Sequence, residues 1–141
     1  MAVTPDRPHH LVAVHPLHAF FTAGMVPLFL GALITDWTYA NSYHIQWSNF
    51  SSWLIVGGMV LCGIVLVLSI VDLVRHRAGR SVLYFLVVLA TFVLGFINAL
   101  VHGQDAWAIM PEAPILSLIV FVLAAVAAWL ALSGRRVGGV R

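Results

Sequence analysis

Four runs of apolar residues divide the chain, at about 17–34, 53–74, 82–101 and 115–132, and none contains Arg, Lys or Glu. Each approaches the roughly 20 residues an α-helix needs to cross a hydrocarbon core about 30 Å thick. Within every run, small and polar residues recur at three- and four-residue spacing. The first reads Gly24, Pro27, Gly31, Thr35; the second Gly58, Cys62, Val65, Ser69, Asp72. The third reads Thr91, Gly95, Asn98, His102, with Asp105 one step further if the helix extends; the fourth Ser117, Phe121, Ala124, Ala128, Ala131. Lipid tails are as apolar as Leu, so membrane helices meet along such stripes rather than along their greasiest faces. A repeat near 3.5 residues predicts gentle left-handed crossing. The expected fold is therefore an all-α membrane protein, an up-down-up-down four-helix transmembrane bundle with left-handed packing. Residues 1–16 form an N-terminal tail, 17–132 the membrane domain and 133–141 a basic C-terminal tail. Pro27 removes one ladder hydrogen bond and predicts a kink in the first span.

Composition narrows the class further. The chain is 62% hydrophobic and 9% charged, whereas soluble domains carry about a quarter charged residues. A single Cys excludes a disulfide framework and any Cys-rich zinc or iron–sulfur site. A net charge of +2 with no Lys gives too little basic surface for a nucleic-acid binder. After four crossings Arg7, Arg75, Arg77, Arg80, Arg135, Arg136 and Arg141 all fall on one side, while Asp36, Asp105 and Glu112 fall on the other. The positive-inside rule then places both termini of a multi-pass membrane protein in the cytoplasm. Trp37, Trp47, Trp53 and Trp107 lie near the outer boundary, as an aromatic belt would. The long first apolar run, with no small-x-small site after it, argues against a cleaved leader.

Ionisable and polar groups are costly in a membrane and mark functional sites by default. An inner group comprises His15, His18, Asp72, Arg75 and His76. It reads either as a helix entry with an interfacial ion pair, or as a His–carboxylate site for a proton, a quinone head group or a metal. An outer group comprises Asp36, Tyr39, His44, Asn98, His102 and Asp105. It reads either as hydrogen bonding that ties the first and third spans together, or as a cofactor or substrate site under the external links. Cys62 is read as a packing residue. A haem b needs facing His ligands. His18 and His102 lie about 25 Å apart at 1.5 Å per residue and cannot share an iron. Only His15, His18 and His76, or His102 with His44, could pair. A quinone needs only a His or Asp beside an apolar slot, and both cofactors stay open. No Walker loop, His-Glu-x-x-His, Gly-x-Ser-x-Gly or Cys-x-x-Cys-His occurs. No catalytic set is evident, and activity without a partner is not expected. A proton-coupled multidrug antiporter would need a carboxylate near mid-membrane, and Asp36 and Asp72 both sit at span ends.

One resemblance covers about residues 15–132. It is carried by His15-Pro16-Leu17-His18, then Pro27, Asp36 and Tyr39, then Trp53 to Gly57-Gly58 and Asp72. It ends with Asn98-x-x-x-His102-x-x-Asp105-x-Trp107, Pro111 and Leu116-Ser117. In order and spacing the chain resembles the bacterial four-helix transmembrane proteins of the domain-of-unknown-function 2231 family. Similar domains occur fused to, or encoded beside, Rieske-type iron–sulfur or quinoprotein sugar-dehydrogenase domains. The resemblance therefore implies the bacterial inner membrane as the location, and a membrane anchor or an electron-transfer, quinone-interacting partner of an external redox enzyme as the role. In that role His102, Asp105, Asp36 and Tyr39, with Asn98, orient the redox group, and His15, His18 and Asp72 handle protons. Two alternatives stand beside it: a cofactor-free structural or assembly module, and a small-solute or metal-ion transport protein. Glycine-rich stripes suit contacts within one bundle and between two copies of a homo-oligomer alike.

Overall fold

The computed structural model describes residues 15–75 and 79–133. They form four helices: α1 (Pro16–Ser42), α2 (Ile45–Arg75), α3 (Gly79–His102) and α4 (Glu112–Leu132). A single 3-10 turn, Ala106–Ile109, sits in the link before α4, and no strand occurs among the described residues. All four helices are long and apolar enough to cross a membrane. His76, Arg7, Arg77, Arg135, Arg136 and Arg141 fall outside the described residues.

Helix ends follow local chemistry. Pro16 occupies the first turn of α1, where its missing N–H costs nothing, and the Leu17 N–H donates to Nδ1 of His15 at 3.4 Å. At the other end Tyr43 adopts a left-handed conformation, φ 54°, and its N–H returns to the Tyr39 carbonyl. The Tyr43 ring stacks on Trp107 with centroids 5.6 Å apart, which helps hold that turn. Only Tyr43 and His44 separate α1 from α2. The polar, aromatic segment between the first two apolar runs is thus almost entirely helical. α1 also continues through Pro27, which lies on an exposed face.

Burial follows the 3.5-residue repeat along every helix. The buried positions are His18, Ala19, Thr22, Met25, Phe29, Ala32, Thr35, Asp36 and Tyr39 in α1, and Ser48, Ser51, Ile55, Gly58, Cys62, Val65 and Ser69 in α2. In α3 they are Ser81, Tyr84, Val88, Thr91, Gly95 and Asn98; in α4 Ala113, Ser117, Val120, Ala124, Ala127 and Ala131. Of the stripe expected on the first span only Thr35 is buried. Gly24 and Gly31 flank the core line and face Leu61 and Leu54 of α2, while the core line itself carries larger side chains. The glycines bring α1 close to α2; they do not fill the centre. On α4, Phe121 and Ala128 likewise sit at the margin, with Val120 and Ala127 inside.

Each helix packs on two others: α1 on α2 and α4, and α3 on α2 and α4. His18, early in α1, meets Asp72, late in α2, and Tyr84, early in α3. Asp36, late in α1, meets His102, at the end of α3, and Ser117, early in α4. The chain therefore reverses at each link, and α1 and α3 face each other across the diagonal. Arg75 and Arg80 lie at one end of the bundle, hereafter the basic end; Asp36, Asp105 and Glu112 lie at the other, the acidic end. Arg80 donates to the Leu130 carbonyl at 3.2 Å and to the Ser133 carbonyl and hydroxyl. It thereby caps the C-terminus of α4, where a cation complements the helix dipole. The surface between the ends is Leu, Val, Ile, Phe and Trp, as a lipid-facing wall requires.

Candidate functional site

Two polar clusters bridge the α1–α3 diagonal, one near each end. At the acidic end Asp36 is fully buried, and the His102 side chain is 2% exposed. His102 Nε2 lies 2.8 Å from Asp36 Oδ1. The Ser117 hydroxyl donates to Asp36 Oδ2 at 2.5 Å and accepts from Asn98 Nδ2 at 2.9 Å. His102 Nδ1 lies 2.9 Å from the backbone carbonyl of Asn98, one turn back on α3. A carbonyl only accepts, so Nδ1 carries a hydrogen. Ser117 receives the Asn98 amide and must spend its own hydrogen on Asp36. Every proton in the network is placed by its partners except one, the proton shared between Asp36 Oδ1 and His102 Nε2. Asn98 Oδ1 is buried with no hydrogen-bond partner. Nearby, Tyr39 is buried and donates to the Ala106 carbonyl at 3.0 Å, which fastens the last link onto α1.

The basic end holds a second cluster. His18 is 4% exposed. Its Nε2 lies 2.8 Å from the Tyr84 hydroxyl, and its Nδ1 lies 3.3 Å from Asp72 Oδ2. Thr22 joins Tyr84 at 3.2 Å. Asp72 is one-third exposed, so this cluster reaches the surface, whereas the Asp36 cluster is sealed. A cleft of about 350 Å³ opens beside it between α1 and α2. Leu17, Phe21, Ile64, Leu68 and Val71 form its apolar walls, and His15, His18, Asp72 and Arg75 are its polar fittings. A larger cleft of about 540 Å³ lies between α1 and α4, lined chiefly by Leu33, Ile34, Trp37, Pro114, Ile115 and Leu118. It touches neither cluster and offers almost no polar group.

A model of predicted membrane proteins, DUF2231, matches residues 14–138. The chain belongs to the DUF2231 family. No curated protein matches it, and no solved structure does. This DUF2231 protein is a predicted integral membrane protein whose four helices suit a multi-pass protein in a lipid bilayer.

Of the residues picked out by sequence, the structure gathers Asp36, Asn98 and His102 into one network, and His18 with Asp72 into the other. His15 is exposed and serves as the α1 cap, on the rim of the smaller cleft. Asp105 does not continue the Asn98–His102 face. α3 stops at His102, the chain turns, and Asp105 is exposed ahead of the 3-10 turn. Tyr39 is occupied in clamping backbone. His44 sits exposed in the two-residue turn. Three participants were missing from the sequence-based set: Ser117, Tyr84 and Thr22. Ser117 sat among alanines in a packing stripe. Tyr84 is seven residues before Thr91 and fourteen before Asn98, so the α3 stripe extended backwards would have found it.

Among the described residues, neither buried histidine is free to bind a haem, and His76 lies outside them. Both ring nitrogens of His102 are engaged, by Asp36 and the Asn98 carbonyl. Both nitrogens of His18 are engaged, by Tyr84 and Asp72. Neither histidine presents a free lone pair to iron. Among the described residues no three His, Cys, Asp or Glu side chains gather as a metal site.

Proposed function

We propose that this DUF2231 protein is an inner-membrane partner of a redox enzyme outside the bilayer, and that it receives a quinone head group at the basic end. The cleft beside His18 and Asp72 carries the reading. A quinone head is a flat apolar ring with two carbonyl acceptors, and its reduction consumes two protons with its two electrons. It needs apolar walls, a few donors and a proton source. The cleft has the walls, with His15 and Arg75 at the rim as donors. Asp72, part-exposed, contacts His18, so a proton taken up at the surface can reach the wall of the cleft, while Tyr84 and Thr22 hold His18 from its far side. The electrons come from the partner, which must meet the quinone at this same end, since the bundle centre among the described residues is apolar and holds no metal-binding cluster; the company of similar domains suggests a quinoprotein dehydrogenase or an iron–sulfur protein. The Arg bias places the basic end in the cytoplasm. The Asp36 cluster favours a structural role beside this one, since it ties three helices together almost wholly within itself.

The test is quinone binding. Protein purified in mild detergent is extracted with solvent for bound quinone and then titrated with a short-chain ubiquinone. Leu68→Trp fills the cleft while leaving the His18 and Asp72 side chains unchanged. The expected result is saturable binding that weakens at least about tenfold in that variant, a loss of about 1.4 kcal/mol. Absence of extractable quinone together with unsaturable titration refutes the reading. A redox enzyme co-purifying from native membranes tests the partnership separately.

A further inference from the structure

We infer that Asp36 and His102 form a one-proton exchange site, loaded and unloaded through a polar cleft at the acidic end. This does not depend on the quinone reading. The hydrogen-bond directions carry it. With Nδ1–H committed to the Asn98 carbonyl and the Ser117 hydroxyl committed to Asp36 Oδ2, only the bond between Oδ1 and Nε2 can hold a variable proton. Without that proton a carboxylate oxygen and a bare ring nitrogen would face each other at 2.8 Å, two acceptors in repulsion. The observed contact is therefore the loaded state. A second proton would need Asp36 to be protonated against an imidazolium and to donate where Ser117 already donates, so the site holds one and no more.

Loading puts the proton on Nε2 and leaves the pair neutral overall, an imidazolium against a carboxylate that also accepts from Ser117. Unloading leaves a net negative charge in a site where Asp36 has no exposed surface, which the apolar surroundings oppose. Release thus requires the α1–α3 contact to open, and proton loss and diagonal contact are one event. The route outward is a cleft of about 320 Å³ whose wall includes His102, together with Gln46, Ser48, Asn49, Ser52 and Gln104. These side chains are neutral and hydrogen-bonding, and they suit water rather than lipid. Of the other titratable groups at this end, Tyr39 on α1 is spent on the Ala106 carbonyl, while Asp105 in the link and Glu112 on α4 are exposed. α2 brings neutral groups only to the cleft.

The experiment is ¹⁵N NMR of the full chain in lipid nanodiscs, with ¹⁵N-labelled histidine and His102 assigned through His102→Gln. Nδ1 of His102 should stay protonated from about pH 5 to 10, while Nε2 passes from hydrogen-bearing to bare. Asp36→Asn should alter that passage, since the carboxylate that shares the proton is gone. Asn49→Leu with Ser52→Leu, plugging the cleft, should slow exchange of that proton with water at least about tenfold. An Nε2 signal unmoved over this range overturns the inference, as does a bare Nδ1. Exchange unaltered by the plug overturns the route. The wild-type titration decides the matter even if Asp36→Asn fails to fold.

Discussion

Asp36→Ala strikes a residue whose carboxylate is bonded from α1 to both α3 and α4 at the acidic end. The change removes two acceptor contacts, to His102 and Ser117, from a fully buried position. Hydrogen bonds between membrane helices average about 0.6 kcal/mol and reach about 1.7. A charge-assisted bond counts roughly double, so the two contacts together are worth about 2 kcal/mol. The Ser117 hydroxyl and His102 Nε2 are then left without their partner in a buried position, at about 1–3 kcal/mol more. The expected loss is about 3–5 kcal/mol, the range found when one member of a buried pair is deleted. His102→Ala should cost a similar amount, because it strands the carboxylate. The double variant should cost little more than either single one. Reversible unfolding of the intact chain in mixed micelles, read by helical circular dichroism, gives all four corners of the cycle. A coupling energy of about 2 kcal/mol or more is expected; single losses that add to within about 0.5 kcal/mol would mean the two side chains act independently and would refute the network.

Other positions give equally definite outcomes by the same unfolding assay. A Cβ on Gly58 would lie 2.7 to 3.0 Å from three ring atoms of buried Phe29, so Gly58→Ala should destabilise by about 1–3 kcal/mol. Gly57→Ala, whose Cβ meets only Leu28 at 3.5 Å or beyond, should stay within about 0.5 kcal/mol of wild type. Tyr84→Phe removes the hydroxyl shared by His18 and Thr22 and should cost about 1–2 kcal/mol, with no change in the acidic-end ¹⁵N titration. Arg80→Met uncaps α4 and should speed amide hydrogen exchange in its last turn, with a stability loss of about 0.5–2 kcal/mol.

Much of this was legible before the fold was known, because membrane helices leave a strong signal. Apolar runs of spanning length fix the number of helices, and the heptad spacing of Thr91, Gly95 and Asn98 points to the buried face of α3. Pairing Asp36 with His102 followed from depth alone: both end a span on the same side. What escaped was direction within a helix face. Gly24 and Gly31 look like a core line because small residues mark contacts, yet they serve a single neighbour. The core line beside them carries Met25 and Phe29, side chains that a lipid-facing wall would carry equally well. The end of α3 was also out of reach. Asp105 continues the helical spacing on paper, and only the turn at Gly103 and Gln104 removes it. Ser117 was hidden by its size, since a serine in an alanine stripe reads as packing until a carboxylate is found opposite.

The two clusters cannot serve one proton path through the molecule as it stands. Asp36 follows His18 by 18 residues, about 27 Å at the rise of an α-helix. Between them the bundle centre is Met25, Phe29, Cys62, Val65, Val88, Val120 and Ala124, all at most 1% exposed. Thr91, the polar residue at this depth on α3, spends its hydroxyl on the Val87 carbonyl. A proton or ion would have to cross that layer with no hydrogen-bond partner, at a cost of several kcal/mol for each unmet polar group. Each cluster must therefore exchange with its own side of the membrane. What joins them is mechanical: both hang on α1, and both bridge the same diagonal to α3. If loss of the Asp36–His102 proton lets α1 and α3 part at one end, their separation at His18 and Tyr84 is where the other end would register it. The sharpest evidence for such coupling would be a change in the His18 ¹⁵N signals on Asp36→Asn. Identical His18 spectra in the two proteins would show the ends to be independent.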